Sequence, residues 1–202
     1  MFDTAVLDSA FAGAETGEHV GSLRVRSGRV TAYDPLYTAP RPPFRVPIPT
    51  GDHPVIVVEG GAGALLTFAP GRPVTWEQAL TDRQQFAELG PNEFYGYHVG
   101  CGLGCFADPE AAALFSRELA VFDDPFDVLE DYLYDDERHG VSHVIGRLPV
   151  ETAVPVPNPD EYNVVVVRAG NGDAGLYTTW LGRDADGQPL CLLTDFCLGS
   201  DE

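Results

Sequence analysis

The chain has no lysine. All 12 of its basic residues are arginine, set against 31 aspartates and glutamates, so the net charge is −19 over 202 residues. Without lysine there is no Schiff-base amine and no P-loop lysine. The negative field opposes polyanions, so nucleic acid and anionic membrane are excluded as general partners. A basic protein or a cationic ligand suits it better. Long apolar runs are also missing: no stretch of 18 residues reads as a spanning helix. The start, Met1-Phe2-Asp3-Thr4, lacks the basic region and apolar core of a signal peptide. A cytoplasmic location with reduced cysteines is the expectation. Cysteine is sparse. Cys101-x3-Cys105 and Cys191-x5-Cys197 match neither a zinc ribbon nor a zinc finger. They read as small buried apolar side chains, and no metal or cofactor is assigned. Esterase elbow, Rossmann glycine fingerprint and kinase motifs are absent as well.

What is present is a hydrophobic share of 44%, ordinary for a folded domain, in a chain long enough for one real core. The densest feature is Tyr95 to Pro109, with four glycines between positions 96 and 104. Glycine fills no volume, so such a run serves positive φ angles or close backbone approach. Asp108-Pro109 reads as a helix N-cap followed by the first helical position. The stretch is therefore either a tight connection feeding a helix N-terminus, where free N–H groups can hold an anion, or a structural turn beside a packed cysteine.

Around it the pattern is mainly β. Residues 3–12 predict a short helix with Val6, Leu7 and Phe11 on one side. Val20 to Tyr33 alternates like a hairpin turning at Ser27-Gly28. Residues 35–54 carry seven prolines and predict an extended crossing, either a surface wrap or part of a site. Val55 to Val58 is an apolar run typical of a buried strand, turned at Gly60-Gly61 into a second strand over 62–68. Thr75 and Gln78 have capping-box spacing, which predicts a helix through Trp76, Ala79, Leu80 and Phe86. Past Asp108, a helix buries Ala112, Phe115, Leu119 and Phe122. Another starts at Asp124-Pro125, with Phe126, Leu129 and Leu133 on one face. Tyr162 to Arg168, Leu176 to Leu181 and Leu190 to Phe196 are strands, the last two joined by Asp184-Ala185-Asp186-Gly187. That turn resembles the start of a calcium loop but lacks the later glutamate. His139 and His143 share i,i+4 spacing, but Gly140 interrupts them and no third ligand lies near. The expected fold is α+β: mostly antiparallel twisted sheet with a few helices, one domain. Its N-terminal β part covers about 1–70, its central helical part about 74–140 and its C-terminal β part about 160–197.

Several pieces, taken in order, resemble the bacterial DUF4241 family of unknown function. They are Val20-Gly21-Ser22-Leu23 with Ser27-Gly28 and Asp34-Pro35; Trp76-Glu77-Gln78-Ala79; Gly96-Tyr97 through Gly104-Cys105-Phe106 and Asp108; and Asn163 to Gly175 with Tyr177, Gly182, Asp184, Gly187 and Asp195-Phe196. The family name carries no activity with it.

Two functional classes follow. The first is a binding protein, immunity- or antitoxin-like, docking a basic partner. Residues 123–138 hold eight acids and one base, and Asp127, Glu130, Asp131, Asp135 and Asp136 would form the docking face. The bland alternative is a solvated helix face. The second class is a small-molecule-binding enzyme of hydrolase or lyase type. Its candidates are Asp34, Tyr97, His98, Cys101, Cys105, Asp108, Asp173, Tyr177 and Asp195, at turns and strand ends where sites are built. It requires their convergence in one cavity.

Overall fold

A strand that reads Val164-Val165-Val166-Val167 must be covered on both faces, because period-two geometry points successive side chains to opposite sides. That requirement organises the molecule. A computed structural model describes residues 4–37, 41–91, 93–134, 143–145, 162–170 and 174–199, giving only the backbone course for 130–134 and 143–145. Among these, three α-helices and eleven strands form two antiparallel sheets. The elements are α1 (Thr4–Gly13), β1 (Glu18–Val25), β2 (Thr31–Tyr33), β3 (Gly51–Val58), β4 (Gly63–Thr67), β5 (Thr75–Gln78), β6 (Tyr97–Val99), β7 (Leu103–Ala107), α2 (Pro109–Leu119), α3 (Pro125–Tyr134), β8 (His143–Ile145), β9 (Val164–Arg168), β10 (Gly175–Arg183) and β11 (Pro189–Asp195).

The larger sheet runs β1-β3-β4-β11-β10-β5, with β6 also paired to β10; the smaller runs β2-β7-β9-β8. Between them lies the main core: Leu23 and Val55 from one side, Phe106, Val165 and Val167 from the other, with Leu66, Leu192 and Phe196. Val164 and Val166 point the other way, against Ala112, Phe115 and Leu119 of α2 and Leu129 of α3. On the outer face of the large sheet, Leu7 and Ala10 of α1 meet Leu65, Trp180, Cys191 and Leu193. The order of layers is α1, large sheet, small sheet, then α2 with α3. The fold is α+β and mostly sheet.

Two expectations are overturned. Val20 to Tyr33 is not a hairpin: β1 pairs with β3 and β2 with β7, in different sheets. The alternation is genuine, but Ser27-Gly28 is a corner between layers, with Gly28 at a φ of 75°. Residues 75–78 form strand β5 on β10, and a 3₁₀ turn over Phe86–Glu88 stands where the expected helix would continue. Tertiary pairing overrides the local capping spacing: Trp76 donates from Nε1 to Asp8 at 3.0 Å, and the Gln78 side-chain oxygen accepts from the Tyr95 N–H at 2.8 Å. The region expected to be helical from about 74 is thus strand first and, among the described residues, α-helical from Pro109.

The proline-rich crossing is extended as expected. Its described part tucks Phe44, Val46 and Ile48 into the main core, alternating with exposed Arg45, Pro47 and Pro49. N–H groups of Phe44, Arg45 and Ile48 donate to carbonyls of Val30, Leu80 and Gly28. The Asp184 turn is a hairpin turn, its carboxylate accepting from the N–H groups of Asp186 and Gln188.

Gly104 lies where the two sheets come together. A Cβ there would stand 2.7 Å from Phe196 Cζ and 3.0 Å from Tyr97 Oη, whereas one on Gly100 would meet only Asp34 Oδ2 at 3.8 Å. Gly104→Ala is expected to cost about 1–3 kcal/mol through overpacking and Gly100→Ala within about 0.5 kcal/mol, as read from urea midpoints. Equal costs at the two positions would contradict this packing.

Candidate functional site

The glycine-dense stretch is more structured than a bend. It holds β6 and β7, joined by Gly100 to Gly102, with Gly102 at a φ of 73°. Because β6 pairs with β10 and β7 with β9, this turn also carries the chain from one sheet to the other. Asp34, at the end of β2 and 3% exposed, closes over it. Its Oδ2 accepts from the Gly100 N–H at 2.8 Å, and its Oδ1 accepts from the Leu36 N–H at 2.9 Å and the Cys101 thiol at 3.2 Å.

At the far end of β7, Asp108 is fully buried. As the N-cap of α2, its Oδ1 accepts from the Glu110 N–H at 3.0 Å. Its Oδ2 accepts from the N–H groups of Arg26 and Ser27 at 2.8 and 2.7 Å. The N-cap and the Pro109 start are as the sequence implies. What the cap also holds, the corner between β1 and β2, is visible only in three dimensions.

Several candidates do come together. Asp34 and Cys105 lie within electrostatic reach of each other and of both Tyr97 and Cys101, with Tyr177 beside Tyr97. Burial pushes the Cys101 thiol up to about 12, helped by the Asp34 charge and its hydrogen bond. Cys105, whose thiol donates to the Tyr33 carbonyl at 3.2 Å, is raised well above the usual thiol range, again first by burial. The phenols of Tyr97 and Tyr33 are raised by burial and then by Cys105. Tyr177 packs edge-on against Phe196, ring centroids 5.2 Å apart. The Cys101 and Cys105 thiols and the Tyr33 and Tyr97 phenols keep their protons at neutral pH, and the Asp34 carboxylate already accepts from protein donors. Thiol catalysis needs a thiolate, and nothing here lowers a thiol toward neutrality.

Other candidates stand apart. His98 is exposed while its neighbours Tyr97 and Val99 on β6 point inward. Asp195 ends β11 and accepts from the N–H groups of Cys197 and Leu198 at 2.9 and 2.8 Å. Its carboxyl is raised, mainly by burial. Asp173, Asp135, Asp136 and His139 lie outside the described residues, as do the side chains of Glu130, Asp131 and His143. His143 belongs to a strand and not to a helix, so the helical spacing of the histidine pair does not apply. Among the described residues, no group of three or more His, Cys, Asp or Glu side chains converges as a metal site would. No helix among them is long and apolar enough to cross a membrane.

Sequence reasoning missed Tyr33, which faces Cys105, and Asn163. The Asn163 side chain accepts from the Arg24 N–H at 2.8 Å and donates to the Ser22 carbonyl at 2.7 Å, tying β1 to the start of β9. An asparagine directly before four valines is the one signal that could have flagged it. Beside the cluster, a hollow of about 30 Å³ is lined by Arg41, Phe44, Thr81, Tyr95, Tyr97 and Thr179, space for a water or two. Arg41 Nη1 donates to the Gly96 carbonyl at its mouth. The central stretch thus borders a cavity, though one too small for a metabolite.

A family model described as a protein of unknown function, DUF4241, matches residues 23–194. The chain belongs to the DUF4241 family. Those bounds run from β1 to β11 and take in both sheets, α2 and α3. No curated protein and no solved structure matches this DUF4241 chain.

The thiols give a direct test. The expectation of four buried cysteines fails at Cys197, which is exposed beyond the end of β11; Cys105 and Cys191 are buried and Cys101 is half-buried, and burial also pushes Cys191 up to about 12. At pH 8 a maleimide is expected to label Cys197 promptly and the other three at least about 100-fold more slowly until the chain unfolds. Raised thiols and phenols bind protons more tightly folded than unfolded. Their stabilisation is full below the unfolded values, about 8.5 for thiol and 10 for phenol, and is lost as pH rises through the folded values. The denaturation midpoint should therefore fall from about pH 9 upward. Fast labelling of Cys101 at pH 8 would contradict the assignment.

Proposed function

We propose that the protein is a binding module, immunity- or antitoxin-like, whose α3 face docks a basic protein. The observation that carries this reading is an exposed apolar pair, Phe126 and Val121, among exposed acids. Leu129 is buried and fixes α3 on the small sheet, while Asp123, Asp124, Asp127 and Phe126 stay in solvent, with Phe126 38% exposed and Val121 54%. Asp124 caps the helix by accepting from the N–H groups of Phe126 and Asp127. Residues 123–138 contain eight acids and one base, so Glu130, Asp131, Asp135 and Asp136 would extend the same charge. Interfaces gain affinity from an apolar or aromatic anchor and gain speed and selectivity from a charged rim. This segment supplies both. The hydrolase or lyase reading asks Asp34, Asp108 and the thiols to act on a substrate. Their hydrogen bonds to the chain itself favour the binding reading.

A partner captured on the immobilised protein at low salt would be titrated calorimetrically. Its affinity is expected to fall at least about tenfold between roughly 0.1 and 0.5 M salt. Asp127→Asn combined with Glu130→Gln and Asp131→Asn should weaken binding similarly, and Phe126→Ala should weaken it independently of salt. Neutralising Glu15, Glu18 and Asp186 should change little. An affinity indifferent to salt, or equal losses from the two charge sets, would count against the proposal.

A further inference from the structure

A cleft of about 400 Å³ opens beside the β10–β11 hairpin, within the range of about 300–1,000 Å³ usual for small-molecule sites. Its apolar lining is Pro47 and Pro189 with the edges of the buried Val46, Leu80 and Leu181, and its charged lining is Arg45, Arg183 and Glu77. Arg183 is fixed: its Nε and Nη2 both lie 2.8 Å from Glu77 Oε1, and its Nη1 donates to the Gly187 carbonyl at 2.9 Å. Arg45, itself exposed, lies between the buried Phe44 and Val46 on the strand-like segment across the cleft and makes no ion pair among the described residues. In a chain of net charge −19, this hollow therefore holds two guanidinium groups against one carboxylate.

We infer that the cleft binds a small organic carboxylate with an apolar body. Guanidinium pairs carboxylate through two parallel hydrogen bonds, a geometry that suits a planar anion. Arg45 takes the ligand carboxylate, and the apolar lining takes its body. An exposed ion pair alone is weak, so the walls must supply most of the affinity, and a bare anion will not suffice. The overall negative field disfavours each further ligand charge, which selects a monoanion over a phosphate. Glu77 is the internal competitor, a carboxylate already seated on Arg183. The cleft is formed by the proline-rich crossing, β5 and the hairpin, and shares no residue with α3, so it stands or falls apart from the docking reading.

The test uses 3-phenylpropionate, its uncharged amide 3-phenylpropionamide, and inorganic phosphate, followed by amide chemical shifts of the labelled full chain. The acid is expected to shift the amides of Arg45, Leu80 and Gln188, saturating in the millimolar range or below. The amide and phosphate should bind at least about tenfold more weakly. Arg45→Ala should lower affinity at least about tenfold, with Arg45→Lys between the two. Glu77→Gln, which removes the competitor, should tighten binding. Arg45 is exposed, so its variants test the site without threatening the fold. Equal binding of acid and amide, shifts clustered elsewhere, no effect of Arg45→Ala, or a Glu77→Gln that does not tighten binding would each overturn the inference.

Discussion

Two buried carboxylates hold this architecture together. Asp34 and Asp108 sit at opposite ends of β7, and both accept from the chain itself. Taking a carboxylate out of water costs several kcal/mol, and that cost is offset only where its oxygens find donors. Each hydrogen bond to a charged group then contributes about 1.5–3 kcal/mol. Among the donors are backbone N–H groups at two of the places where the chain leaves one sheet for the other, the Arg26-Ser27 corner and the Gly100 turn. Corners have no ladder partners of their own, and a buried N–H left unpaired is costly. The aspartates supply what the sheets cannot.

From that follows the layering. A chain that switches sheets at Ser27-Gly28 and again at Gly100 to Gly102 can place β1 and β6 in one layer and β2 and β7 in the other. Only then are both faces of β9 covered, and four consecutive valines become affordable on one strand. Asn163 adds a third tie, joining β1 to β9 across the layers. Asp34 and Asp108 are committed to these joints, and apart from the buried Glu118 the other acids whose side chains are described reach solvent, where the charge excess becomes a property of the surface. The cysteines follow the same division: burial keeps Cys101, Cys105 and Cys191 as thiols, packed like small apolar side chains.

Much of this was legible in local pattern. The valine run, the Asp108-Pro109 start, the stripe of Ala112, Phe115 and Leu119, and the Asp184 turn are short-range features, decided within a few residues. The family likeness extended over both sheets. What failed was pairing. Alternation over Val20 to Tyr33 shows two strands but not that each finds a different neighbour, and the spacing of Thr75 and Gln78 suits a helix until β10 is there to receive them. For the same reason the candidate residues divided as they did. Asp34 and Cys101 are 67 residues apart in sequence and meet, whereas His98 and Cys101, three apart, take different sides of a strand turn. Arg45 and Arg183 carried no sequence signal at all, since a cleft between distant segments exists only once both sheets are formed.

The most direct measurement of the central claim is native-state amide hydrogen exchange. If the buried aspartates hold the corners, the N–H groups of Arg26, Ser27 and Gly100 should exchange about as slowly as those inside β9 and β11, although none of the three lies in a ladder, and Asp108→Ala should release Arg26 and Ser27 while Gly100 stays protected. Exchange at these three amides as fast as at Ala185 in the exposed Asp184 turn would contradict the account.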